Sequence, residues 1–160
     1  MWSGRLDDAE RHVKRSIALN PSLALAAMYM SSLRCWRCDV DGTDTWARQA
    51  QELSPVDPML PFAAVSRAMA RFGAGRYDEA LEIVDEVIEV APELPSVWRI
   101  RAASLEMLGR HEEAADSVSR LLALQPFTLD WARTNLTPFV DTDRWDIYLS
   151  ALGRAGVPEA

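Results

Sequence analysis

The chain has 160 residues, 49% of them apolar, which suffices for a buried core and excludes a disordered acidic tail. Its 24 acidic residues against 17 basic ones leave a net charge of −7, which argues against a nucleic-acid backbone as partner. No stretch approaches the ~18 uninterrupted apolar residues of a membrane-spanning helix, the start MWSGRLDDAER lacks the apolar segment of a secretory signal, and two cysteines make no disulfide framework, so a reducing, cytoplasmic setting is expected.

Three segments share one pattern: GRLDDAERHVKRSIALNP (Gly4 to Pro21), GRYDEALEIVDEVIEVAP (Gly75 to Pro92) and GRHEEAADSVSRLLALQP (Gly109 to Pro126). Gly75 and Gly109, Ala80 and Ala114, Pro92 and Pro126, and Pro21 and Pro55 are each 34 residues apart. Pro55 to Pro92 is 37, which places three extra residues near Pro58 to Pro61. The glycines suit a tight reversal between two helices, where a Cβ strains the turn. The acidic pairs Asp7-Asp8, Asp78-Glu79 and Glu112-Glu113 suit the positive end of the helix that follows. Ala9, Ala80 and Ala114 are small where paired helices cross, and the prolines cannot continue the helix they end.

In chain order, residues 4–21 read as the second helix of a partial hairpin. Residues 24–55 form a degenerate unit. Its first helix runs from about Leu23 to Arg37, Cys38 replaces the turn glycine, Thr43 replaces the alanine, and the loop Asp39 to Asp44 makes the reversal. Trp46, Ala47, Ala50 and Leu53 carry its second helix. Residues 58–92 form a unit with the insertion, whose first helix, about Pro58 to Gly73, is lengthened by most of a turn. Residues 95–126 form another unit, which completes an array over 1–126. Residues 127–160 cap it: Thr128 starts a short helix that ends before Pro138, and Asp141 or Thr142 starts a last helix through Ala155. Trp145, Tyr148, Leu149 and Leu152 lie on one face of that last helix, and Gly156 and Pro158 stop it.

This spacing and these residues resemble the tetratricopeptide repeat. The resemblance implies an all-α fold: a right-handed α-α superhelix of about three and a half hairpins plus C-terminal capping helices. It also implies a non-catalytic module whose first helices line a concave groove for an extended or helical peptide. Matched to the family's groove positions, unit two contributes Met28, Ser32, Cys35 and Trp36. The next unit contributes Phe62, Val65, Met69 and Phe72, and the last contributes Arg99, Ala103, Glu106 and Met107. That surface is rich in methionine and aromatics, which suits adaptable apolar recognition. Arg34, Arg37, Arg67, Arg71, Arg99 and Arg101 fall on the same first helices. They could form a basic stripe for a ligand carboxylate, or pair with the acidic second helices. The Lys/Asn clamp of the family's chaperone-tail binders has no match here.

From Leu121 to Glu159 the tail, with Leu-Leu-x-Leu-x-Pro-Phe-Thr-Leu, a later Pro-Phe, Arg144 before an aromatic helix and Ala-Gly-Val-Pro-Glu, is similar to bacterial repeat regions attached to class III adenylate/guanylate cyclases or winged-helix regulators. That implies a regulatory appendage without activity of its own. Because Gly4 occupies the turn position and Met1-Trp2-Ser3 reads as an arbitrary start, the chain is expected to be the C-terminal piece of a longer protein. Otherwise its bare first helix meets a partner, such as a second copy. The partners expected are therefore a protein or peptide ligand, a homodimer mate or an upstream domain of the same polypeptide, with neither nucleic acid nor membrane.

Other chemistry reads weakly. Cys35-Trp36-Arg37-Cys38 lies at the C-terminal end of a helix, where the dipole opposes a reactive thiolate, so packing is expected there. His12 and His111 do not complete a zinc set with it. His111 stands where the other units have Leu6 and Tyr77, so a packing role is expected. Asp39-x-Asp41-Gly42 lacks the later ligands of a calcium loop, Gly73-Ala74-Gly75 lacks the Lys-Ser/Thr of a phosphate loop, and the acidic pairs serve as helix caps. No catalytic, cofactor-binding or metal-binding residue is expected.

Overall fold

The computed structural model describes residues 2–136 and 139–160, with the side chains of residues 2–4 excepted. The described residues form nine helices: α1 (Trp2–Leu19), α2 (Ala24–Cys35), α3 (Val40–Leu53), α4 (Leu60–Gly73), α5 (Tyr77–Val90), α6 (Pro95–Met107), α7 (His111–Leu124), α8 (Leu129–Asn135) and α9 (Thr142–Arg154). Helices α2/α3, α4/α5 and α6/α7 pair as hairpins. Neighbouring hairpins stack through α2 on α4 and α4 on α6, with α3 against α4 and α5 against α6. None of these helices is long and apolar enough to cross a membrane.

One turn device is used at every hairpin. After α4, Gly75 adopts φ 78°, the Arg76 N–H donates to the Arg71 carbonyl and the Gly75 N–H to that of Phe72. After α6, Gly109 (φ 76°) repeats this, with Arg110 donating to Leu105 and Gly109 to Glu106. These paired bonds satisfy carbonyls that a helix end leaves open. After α2 the same two bonds run from Asp39 to Arg34 and from Cys38 to Cys35, and Cys38 itself takes φ 55°. The degenerate unit thus keeps the turn without its glycine, and the reversal lies at 36–39 rather than in the loop expected over Asp39 to Asp44. The Asp39 carboxylate accepts from the Gly42 N–H at 2.9 Å and so starts α3 at Val40.

Helices α3, α5 and α7 are each 14 residues long. The small residues expected at their crossings, Thr43, Ala80 and Ala114, are fully buried. The insertion is shared between a six-residue connection over 54–59, against four over 20–23 and 91–94, and a 14-residue α4 against 12 for α2 and 13 for α6. Helix α1 departs from its expected bounds. It runs back to Trp2, so Gly4 lies within it and Asp7-Asp8 do not open it. Leu6, Val13 and Ile17 on α1 pack with Met30 and Leu33 of α2.

The C-terminal tail settles the shape of the groove. Thr128 caps α8 by accepting from the Trp131 N–H at 3.1 Å, and Asp141 caps α9 by accepting from Asp143 and Arg144. The expected stop of the short helix, Pro138, lies outside the described residues, as does Met1. Helix α9 packs on α6 and α4. The tail's ends are tied where Leu129 and Asp130 donate to the Pro158 and Glu159 carbonyls. A single core cluster consequently runs from Phe72 and Val84 through Ile100 and Leu121 to Phe127, Phe139, Trp145, Tyr148 and Leu152.

Candidate binding groove

Helices α2, α4 and α6 stand side by side, and α9, with Phe139 and Val140 before it, closes part of the face they share. The Val140 N–H donates to the Trp36 carbonyl at 2.8 Å. The Phe139 ring enters where Gly73 has no side chain: a Cβ there would stand 3.0 Å from the ring and 2.8 Å from the Cys38 Sγ. Tyr148 meets Phe72 edge-on at 5.2 Å, and Trp145 packs between Phe139 and Tyr148.

This arrangement divides the expected groove residues. Cys35, Trp36, Val65, Met69 and Arg99 line one cavity of about 270 Å³ together with Ser66, Ile100, Asn135, Leu136, Trp145 and Tyr148. Phe72 and Ala103 lie fully buried in the core instead, because α9 covers the first and α6 turns the second inward. Met28 packs with Ala47, Ala50 and Ala63 between successive hairpins. The Ser32 hydroxyl is bonded to that of Ser66 at 2.9 Å, bridging α2 and α4. Glu106 and Met107 are engaged by α9: the Arg154 guanidinium lies 3.1 Å from the Glu106 carboxylate and bonds the Met107 sulfur. Phe62 is exposed, away from the cavity.

Arginine is the informative residue type. Arg34 and Arg37 pair with Glu10 at 2.8 and 2.9 Å, Arg67 and Arg71 with Asp44 at 3.0 and 2.7 Å, and Arg101 with Asp85 at 2.8 Å. The basic stripe is thus mostly spent in ion pairs between helices, of which the bidentate Arg71–Asp44 pair holds the Asp44 carboxyl below its usual range. Arg99 differs. Among the described residues it is the half-buried arginine without a carboxylate partner, and its buried Nε has no acceptor. Its guanidinium lies 5.4 Å from the centre of the Phe127 ring, a cation–π contact that supplies no acceptor for the N–H.

The two thiols are free, and burial pushes both upward in pKa. Neither is thereby poised as a thiolate. His111 is exposed at 68% of its side chain and bonds the buried Glu106 carboxylate at 2.7 Å. It is a polar clasp at the α6–α7 turn and not the packing residue its position in the repeat suggested. Among the described residues no His/Cys/Asp/Glu group is arranged to hold a metal ion. A second cleft of about 460 Å³, between α3, α4 and α5, opens where the inserted residues lengthen the α3–α4 connection. Of the charged residues that line it, the half-buried Asp44 and Arg67 are paired with each other.

Sequence reasoning missed four residues. Trp145 and Tyr148 were legible as the inner face of a capping helix but not as walls of the groove. Leu25 and Tyr29 share a face of α2 with Ser32 and Trp36 by their i, i+4 spacing. Tyr29 is 57% exposed and Phe62 on α4 is 44% exposed. Leu25, Tyr29 and Phe62 thus leave apolar surface in water on the neighbouring helices α2 and α4; Phe62 was expected from the sequence, and the signal for the other two was that same spacing.

The tetratricopeptide-repeat family profile matches residues 65–127, which span α4 to α7 and leave the tail outside the match. No curated protein matches the sequence significantly. Among solved structures, "MamA MSR-1 C2" is similar at 24% identity and a TM-score of 0.57, over 76% of this chain and 68% of that one, a likeness of fold. The likeness to tetratricopeptide repeats thus covers the middle of the chain, and the fold is an all-α helical-repeat superhelix.

Proposed function

We propose that the chain is a non-catalytic protein-interaction scaffold that docks a peptide or a neighbouring domain on the open half of its concave face. The observation that carries this reading is the pair of exposed aromatics, Tyr29 and Phe62, on adjacent stacked helices beside the region α9 covers. Large apolar side chains left in water at one end of a groove favour an apolar or aromatic anchor from a partner.

Self-association through α1 is less favoured by its surface: Asp8, Arg11, His12 and Arg15 face solvent, while Leu6 is buried against α2. A displayed peptide library selected against the whole chain, and in parallel against a Tyr29→Arg, Phe62→Arg double variant, tests the proposal. The expected result is enrichment of aromatic-anchored peptides that the variant fails to hold. Equal binding by both proteins would remove the concave face from consideration.

A further inference from the structure

The 270 Å³ cavity combines features that a purely structural crevice does not need. Its walls are largely apolar, with Trp36, Trp145 and Tyr148 as aromatic faces beside Val65, Met69 and Leu136. Its polar lining includes Arg99, a cation with no counter-ion among the described residues. A buried donor without an acceptor is costly, and such costs persist where a ligand or an ordered group meets them. Five other half-buried arginines, Arg34 of α2, Arg37 just past it, Arg67 and Arg71 of α4 and Arg101 of α6, have carboxylates within 3.0 Å, so the chain is not short of acids to pair with. We propose that this cavity binds a small, flat, apolar monocarboxylic acid, with its carboxylate on the Arg99 guanidinium and its ring between the Trp36 and Trp145 side.

Charge and size narrow the ligand class. A single guanidinium offers a fork that matches one carboxylate. A phosphate dianion would leave surplus negative charge against aromatic walls and Tyr148, whose buried hydroxyl is already disfavoured as an anion. The volume falls just below the usual range of ligand pockets, which suits one ring with a short acid arm rather than a long chain. The tail makes the site: Leu136 comes from the end of α8, and Trp145 and Tyr148 from α9, so a ligand held there bridges the tail to α4 and α6. The site is independent of peptide docking at Tyr29 and Phe62, and either can fail without the other.

Calorimetric titration of the full chain with phenylacetate, its neutral amide phenylacetamide, phenyl phosphate and a short peptide ending in Phe tests it. Phenylacetate is expected to saturate one site roughly tenfold or more tighter than phenylacetamide, the margin of a charge-assisted hydrogen bond. Arg99→Met is expected to erase that margin while far-ultraviolet circular dichroism stays unchanged, and Arg99→Lys to keep part of it. Should Arg99→Met not fold, the wild-type comparison of acid with amide decides alone. Equal binding of acid and amide, binding of neither, or preference for phenyl phosphate or for the peptide end over phenylacetate overturns the proposal.

Discussion

Cys38 and the two turn glycines show how a backbone requirement survives a change of side chain. All three adopt left-handed φ values of 55° to 78° and close the same pair of hydrogen bonds. The position of Cys38, 37 residues before Gly75, was legible because the repeat sets the register of the turn. That it would hold the left-handed conformation itself was not, since the following acidic loop offered an alternative reversal. At Gly109 a Cβ would meet nothing within 4 Å, so the cost of a side chain there is backbone strain alone. Gly109→Ala is expected to lower the unfolding free energy by ~1 kcal/mol. An unshifted urea midpoint would show that the turn tolerates the change.

At the scale of elements, one carboxylate adds a polar tie to the apolar docking of α9 on α6. Glu106 is buried, which by itself raises its pKa, yet hydrogen bonds from His111 and Arg154 outweigh burial and hold it below its ordinary value of 4.5. A depressed carboxylate contributes stability that is present above its unfolded pKa and lost as pH falls through the folded one. The α6–α9 contact is therefore expected to loosen as pH drops below about 4.5, with loss of the near-ultraviolet signal of Trp145 and Tyr148. Glu106→Gln should lose that pH-dependent portion while other carboxylates still titrate. An identical acid profile in both proteins would count against the role of Glu106. The apolar face of α9 was readable in advance, but its partners were not: periodicity says that a face is buried, not against which helix.

For the molecule as a whole, stability in a stacked repeat array is close to a sum over neighbouring interfaces. Tyr148 is 1% exposed and touches Phe72 and Trp145, at the meeting of α4, α6 and α9. Tyr148→Ala is expected to cost about 3–5 kcal/mol, the range for deleting a fully buried large aromatic. Hydrogen exchange should place the loss in α4, α6 and α9 and spare α1 to α3. A uniform increase in exchange along the chain would mean one cooperative core instead.

Whereas the place of the reversal after α2 did not, the repeat phase, the helix type, the two glycine turns and the small buried residues Ala80 and Ala114 followed from the sequence by itself. Each depends on residues a few positions apart or on a period of 34, and both are written along the chain. Only the tertiary structure decided that the tail folds back, so that Val140 bonds Trp36 and Phe139 fills the space above Gly73. It also decided that the arginines of α2, α4 and α6 are spent in ion pairs while Arg99 is left over in a cavity. Those outcomes turn on through-space register between segments far apart in sequence, where a shift of one helical turn exchanges one partner for another and leaves every local pattern unchanged.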